Sequence, residues 1–348
     1  MLRELKRFEP VKGKDVKTSL DAGLMAKTYA VLANRRGAAV ISRPETGEIL
    51  ALVSSPGFDP KNLEKVLKDS NLPFFNRAIS GEYPPGSVFK VVTAAAGLEE
   101  GKINPGEQIE DTGAITIGPY RYTNWYFTQY GRTDGWLNVA GALKRSNDIF
   151  FYRLGERLGI KALADWARYL GLGNNTGIDL PGEAAGLMPD AEWKKKNIGE
   201  DWYTGDTFIS AIGQGNVLAT PIQINQMMGV IAGQGLLCQP FLVGRQDCRK
   251  LDLNKATLEI ISQGLREVCQ PGGTAWPFFD YSVPVSGKTG TAEFADTQNR
   301  THAWFSGYAP ADKPEIMVTV LLEAAGEGSN QAAPVAREIF QYWFERQQ

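Results

Sequence analysis

Apolar positions along the chain form short runs near both ends and helical spacings in between. Ser19–Asn34 carries Leu20, Leu24, Tyr29, Val31 and Leu32, with Asp21 in its first turn, and is predicted to be a helix. Ala38–Ser42 and Glu48–Ser54 are short apolar runs around Pro44-Glu45-Thr46-Gly47, the pattern of a β-hairpin. Pro84-Pro85-Gly86 stiffens the chain ahead of Ser87, and the following VVTAAAGLEE reads as a buried helix. Further helices are predicted over Leu137–Leu158, Ile160–Leu170, Ile222–Ile231 and Leu258–Val268. Val283–Thr289, Ala303–Ala309 and Glu315–Leu322 are strand-like, the last two joined by a turn over Pro310–Pro314. Pro334 opens a final predicted helix, Val335–Glu345.

This order, hairpin, long helical excursion, three strands, helix, predicts an α/β protein of the α+β type. Its central antiparallel sheet is assembled from about residues 36–54 and 281–322 and flanked by helices. The turns are too short for parallel crossovers. A mostly helical lobe, about residues 101–273, is inserted between the two halves of the sheet.

Composition narrows the function classes. Lys+Arg number 37 against 39 Asp+Glu, so the basic excess of a nucleic-acid binder is missing. Met1–Lys17 lacks the apolar centre of a signal peptide, and no run of about 18 apolar residues spans a bilayer. The opening segment reads as an internal fragment joined to an initiator Met. Cys238, Cys248 and Cys269 allow one disulfide or three free thiols. His302, the single histidine, excludes a histidine-cluster zinc site and directs the search for a general base elsewhere. It reads as a strand residue near the sheet edge rather than a catalytic group.

Three elements carry candidate chemistry. Ser87 and Lys90 are three residues apart and share a helical face, so the amine can take the hydroxyl proton if its surroundings favour the neutral form. Alone, the pair is also compatible with a capping serine and a solvent-facing lysine. Ser146-Asn147-Asp148 follows a helical run and precedes Ile149-Phe150-Phe151; it reads as a proton relay or as a capping cluster. Lys288-Thr289-Gly290-Thr291 ends a strand-like run, where a cation can bind a carboxylate and glycine lets a substrate backbone lie close. Tyr120, Tyr122, Trp125, Tyr126, Phe127, Tyr130 and Trp136 either wall a cleft or pack within the lobe. Lys194-Lys195-Lys196 reads as solvated surface.

In this order the three elements resemble the transpeptidase domain of class B penicillin-binding proteins, over about Gly13 to Phe344. The resemblance extends to Gly37–Pro60, Asn76-Arg77-Ala78, Gly177–Pro189, Gly213-Gln214-Gly215 with Thr220-Pro221-Ile222-Gln223, and Gly273-Thr274-Ala275. The Pro-Pro-Gly-Ser segment, the triplet ending in Asp148 and THAWFSGYAP (301–310) are most similar to the elongation-type penicillin-binding protein 2 group.

The resemblance implies a transpeptidase domain over residues 13–348 and a linker, or remnant of a missing pedestal domain, over 1–12. It implies a serine-type DD-transpeptidase that cross-links peptidoglycan stem peptides ending in D-Ala-D-Ala and is acylated by β-lactams. Ser87 would be the nucleophile, Lys90 its base and Ser146 a proton relay. Lys288 and Thr289 would anchor the substrate carboxylate, Asn147 and Thr291 would contact substrate, and the N–H groups of Ser87 and Thr291 would form the oxyanion hole. Asp148 stands where many relatives have asparagine, and its carboxylate would order Lys90. No organic cofactor is implied. Some elongation-type members bind zinc near the site; with no His or Cys between Ser87 and Ser146, no metal is expected here. The longer parent would be membrane-anchored on the extracytoplasmic face and paired with a glycan polymerase of the elongation machinery. The alternatives are a DD-carboxypeptidase or β-lactamase-like hydrolase, and a β-lactam-sensing or scaffold domain.

Overall fold

The structure is a computed structural model that describes residues 9–294, 298 and 300–346. Most of the predicted 1–12 linker lies outside the described residues. In chain order, helix α1 (Ala22–Leu32) precedes the hairpin β1 (Gly37–Ser42) and β2 (Ile49–Ser55). The short α2 (Leu63–Val66) follows, then a 3₁₀ turn over Gly86–Phe89 that runs into α3 (Lys90–Glu99). The lobe continues through β3 (Ile109–Asp111), β4 (Ala114–Ile117), β5 (Tyr120–Thr123), α4 (Trp125–Tyr130) and β6 (Gly135–Leu137). Helices α5 (Val139–Arg145), α6 (Asp148–Tyr169), α7 (Ala191–Asn197), α8 (Thr204–Ala211) and α9 (Pro221–Ala232) come next. A ribbon, β7 (Leu236–Cys238) and β8 (Cys248–Lys250), leads to α10 (Lys255–Val268). The chain closes with β9 (Ser286–Glu293), β10 (Thr301–Ala309), β11 (Ile316–Leu322) and α11 (Ala332–Glu345).

Five strands form one antiparallel sheet in the order β2-β1-β11-β10-β9. Its register pairs Gly37 with Leu322, so the two ends of the sequence meet at the centre of the sheet. Side chains alternate across it. Val318, Val320 and Phe305 pack with Leu24, Ile339 and Phe340 of α1 and α11 on one face. Trp304, Tyr308, Met317 and Leu321 join the lobe core of Val91, Leu143, Phe150 and Met227 on the other. Helix α3 is buried from Lys90 to Gly97, in keeping with a run whose only polar members are Lys90 and Thr93.

The α+β architecture and the inserted lobe match the sequence expectation, with local corrections. The edge strand starts at Ser286 rather than Val283, because Pro284 has no N–H to pair, and it runs on through Glu293. Leu137–Leu158 is not continuous: Ser146 is left-handed (φ 53°) and separates α5 from α6. The α6 segment continues past Gly159, whose φ of 73° kinks it, to Tyr169. The last helix begins at Ala332, two residues before Pro334. The lobe also holds three two-stranded ribbons whose strands are too short to show a period in the sequence. Cys238 and Cys248 are paired in a disulfide across the β7–β8 ribbon, and Cys269 is a buried thiol.

Candidate active site

Ser87 is set by a crowded glycine. Gly86 has φ 54°, donates its N–H to Gly213 O at 2.8 Å, and leaves no room for a Cβ, which would stand 2.8 Å from Thr291 O. The chain therefore enters the 3₁₀ turn hard against β9, and Ser87 is half-buried beside that strand. The turn places side chains three residues apart one above the other. Lys90 thus falls on the face of Ser87, its own N–H bonded back to Ser87 O.

Lys90 is fully buried rather than solvent-facing. Its Nζ donates to Asp148 Oδ1 (2.6 Å), Ser146 O (2.6 Å) and, more weakly, Ser146 Oγ (3.4 Å). Lys288, also fully buried, reaches the same serine from β9: its Nζ lies 2.8 Å from Ser146 Oγ and 3.0 Å from Thr289 O. Burial holds the Lys90 ammonium below the usual lysine range, partly offset by Asp148. Lys288 is held well below it, by burial first and by the charge of Lys90 second. Two amines and a hydroxyl thus form a continuous hydrogen-bonded chain with one carboxylate beside it.

The left-handed turn at Ser146 turns its side chain into this chain while both flanking helices stay capped. Asn147 Oδ1 accepts from Phe150 N at 2.9 Å, and its amide donates to Asp134 Oδ2 at 3.1 Å. Asn147, expected to contact substrate, is fully buried and works instead as the N-cap of α6. Asp148 Oδ2 accepts from Trp125 N at 3.0 Å, and Asn124 Oδ1 accepts from Asp148 N at 3.1 Å.

Lys288 was expected to face a substrate carboxylate from the edge strand. Its amine points inward, and the hydroxyl of Thr289 takes the other face of β9. There Thr289 Oγ1 lies 2.6 Å from Thr274 Oγ1. Thr291 is exposed; its hydroxyl accepts from Gly328 N at 3.3 Å and its carbonyl from Gln214 Nε2 at 3.4 Å. Gly290 lets β9 touch the Ser87 turn, since a Cβ there would stand 2.9 Å from Val88 and 3.0 Å from Pro85 O.

Thr274 and Gln214 were not expected as site residues, although both lie in segments that carry the family resemblance, Gly273-Thr274-Ala275 and Gly213-Gln214-Gly215. The aromatic run divides. Trp125, Tyr126 and Tyr130 pack against one another with tilted and edge-on rings beside Asp148, with the Arg145 guanidinium over Tyr126. Tyr122 packs inward on Tyr152 and Phe208. His302 sits on β10, one strand in from the edge, buried and stacked on Phe294.

A buried serine–lysine relay between a helical lobe and the edge of an antiparallel sheet defines the class of active-site serine acyl-transferases. The sequence matches the penicillin binding protein transpeptidase domain over residues 37–341, and the chain belongs to that family, closely related to its elongation-type members. It is 34% identical to peptidoglycan D,D-transpeptidase MrdA of Acinetobacter baumannii, over 99% of this chain and 56% of that protein. It therefore spans a little over half the length of that relative. The crystal structure of Pseudomonas aeruginosa PBP2 in complex with WCK 5153 superposes with a TM-score of 0.88 at 36% identity, covering 96% of this chain and 79% of that one. PBP2 of Helicobacter pylori in its complex with MreC gives 0.87 at 32% identity, over 95% and 64% of the two chains. The penicillin G acyl-enzyme of Mycobacterium tuberculosis penicillin-binding protein A gives 0.78 at 26%, over 94% and 80%.

Proposed function

We propose that this chain is the catalytic domain, residues 13–348, of a serine DD-transpeptidase that cross-links peptidoglycan stem peptides. The observation that carries this reading is the Lys90–Ser146–Lys288 hydrogen-bonded chain beside Ser87. The stem peptide lies along the free edge of β9, adding a strand to the sheet. Ser87 Oγ attacks the penultimate D-Ala carbonyl and its proton passes to Lys90. The oxyanion is held by the N–H groups of Ser87 and Thr291. The tetrahedral intermediate collapses, the C–N bond breaks, and the departing D-Ala amine takes a proton through Ser146. An amine of a second stem then attacks the ester carbonyl, forming the cross-link and freeing Ser87. The Thr274–Thr289 hydroxyl pair, with the charge of Lys288 behind it, binds the terminal carboxylate. β-Lactams acylate the same serine, in keeping with the penicillin G acyl-enzyme of the mycobacterial relative.

In this reading the protein works at the extracytoplasmic face of the membrane with a glycan polymerase. The MreC complex of the Helicobacter PBP2 supports a place in a membrane-associated assembly.

Intact-protein mass spectrometry after exposure to penicillin G, followed by peptide mapping, tests the reading. One penicilloyl group on Ser87, lost in Ser87→Ala, is the expected result. An adduct mapped to another residue overturns it. Incubation of the parent with a D-Ala-D-Ala donor and an amine acceptor separates transpeptidation from hydrolysis.

A further inference from the structure

Ser87 is held from behind by a second buried cluster that the reaction does not touch. Glu323, just past the end of β11, receives three donors: Arg77 Nε at 2.8 Å, Arg36 at 2.6 Å and the Tyr83 hydroxyl at 2.7 Å. Arg77 is fully buried, and its two terminal nitrogens donate to Leu72 O (3.1 Å) and Asn71 O (2.6 Å). A buried guanidinium with each of its three nitrogens hydrogen-bonded is a rigid bracket rather than a surface ion pair.

Tyr83 is the link to the nucleophile. Its backbone pairs both ways with Ala219, Tyr83 N to Ala219 O at 3.0 Å and Ala219 N to Tyr83 O at 2.9 Å. The next residue, Pro84, gives its carbonyl to Trp304 Nε1 at 2.9 Å, and Gly86 is bonded to Gly213. Two prolines lie between Tyr83 and Gly86, so a displacement of Tyr83 is carried to Ser87 with little internal rotation to absorb it. The Tyr83 ring is wedged edge-on against His302 and Trp304, which fixes it in all but the direction of its hydroxyl. Glu323 supplies that last restraint.

Resting on the function proposed above, we infer that Glu323, acting through the Tyr83 hydroxyl, is a positioning residue for Ser87. It sets the depth at which the serine meets a carbonyl bound along β9 and contributes to the bond-forming step rather than to substrate binding. A nucleophile misplaced by a fraction of an ångström still sees a fully bound ligand but reacts slowly.

The test separates the non-covalent binding constant of penicillin from its acylation rate constant, using stopped-flow or quenched mass spectrometry over a concentration series. Tyr83→Phe keeps the ring and removes only the hydroxyl, so it is expected to fold, with a melting temperature lowered by the loss of one hydrogen bond to a carboxylate. Its acylation rate constant should fall about tenfold with binding unaltered. Glu323→Gln should slow the same step, and adding Tyr83→Phe to it should cost much less than in the parent, because both changes act on one bond. A Tyr83→Phe rate constant within about a factor of two of the parent overturns the inference, as does a loss confined to the binding constant. A parent that forms no Ser87 adduct fails earlier, overturning the proposed function and this inference with it.

Discussion

Lys90 Nζ and Asp148 Oδ1 lie 2.6 Å apart in a setting where the lysine is fully buried. The carboxylate puts one negative charge within hydrogen-bond reach of Lys90, whose other hydrogen-bond partners are the carbonyl and hydroxyl of Ser146. Asp148 favours the protonated form of Lys90, opposing the effect of burial. Asp148→Asn should let the Lys90 pKa fall further, so the neutral base persists to lower pH. The acid limb of the acylation profile is therefore expected to move toward acid. Breaking the pair should also cost about 3–5 kcal/mol of stability while the lysine stays charged. A pH series of acylation rates and of melting temperatures checks both; an acid limb that stays in place removes Lys90 as the group that must lose a proton.

Both site lysines shape stability above neutral pH. Each has a folded pKa below its unfolded value of about 10.4, so the unfolded chain binds more protons between the two values. Their contribution to stability therefore rises with pH across that window. Lys288→Met, which keeps the stem and drops the amine, should flatten the rise and lower acylation by about 10²–10⁴-fold. Urea unfolding between pH 7 and 10 reads the first effect. The second is lost if the variant acylates like the parent.

His302 supplies the acid side. Burial pushes its pKa down to about 4, against the pull of Glu323 and with help from Arg36. Its Nδ1 accepts from Ala324 N at 3.1 Å, a bond that protonation destroys. Because the folded value is the lower one, stability falls as pH drops from about 6.5 toward 4, by roughly 3 kcal/mol over the full interval. His302→Asn offers an amide oxygen in place of Nδ1 and should remove most of that slope. Chemical denaturation at pH 7 and pH 4.5 measures it.

Thr274 and Thr289 share one hydrogen bond of 2.6 Å beside β9. Thr274→Val and Thr289→Val should each weaken acylation by ligands with a free carboxylate and spare ester analogues. The double variant should lose less than the sum of the singles. Equal losses with ester and acid would place the carboxylate elsewhere.

Gly86→Ala joins conformational strain to a steric clash. A non-glycine residue at φ 54° costs about 1–2 kcal/mol, and the new methyl would meet Thr291 O at 2.8 Å. Since that contact joins the Ser87 turn to β9, acylation should drop more than stability does. A destabilised variant that acylates at the parental rate would contradict this.

What the sequence revealed follows a physical divide. The β1–β2 hairpin, the α3 run and the three C-terminal strands are local patterns, and they were legible because apolar spacing and turn residues act over a few positions. The Ser87–Lys90 pair belongs with them. The capping role of Asn147 is not legible in the triplet, because its carboxamide partners, Phe150 N and Asp134, are not displayed by the motif. The meeting of Lys288 with Ser146 Oγ is a long-range contact as well: alternation tells which side of a strand a residue takes, not which hydroxyl it meets there. Thr274 meets Thr289 only because the loop after α10 returns to β9. The left-handed turn at Ser146 left no mark in a segment otherwise made of helix formers.

The pairing of Gly37 with Leu322 has a consequence for how the molecule comes into being. The first hairpin precedes the lobe, yet its neighbour β11 is the last of the strands to be made. Until then β1 has an open edge, and β9, which brings Lys288 to the relay, has no sheet to join. Lobe helices can form beforehand from short-range contacts, whereas closing so long a loop is slow and costly in entropy. Chains stopped before β11 would therefore carry Ser87 and Lys90 but no assembled site, and would expose an unpaired apolar strand open to aggregation. Competence to be acylated would arrive in a single late step, with the final strands and helix.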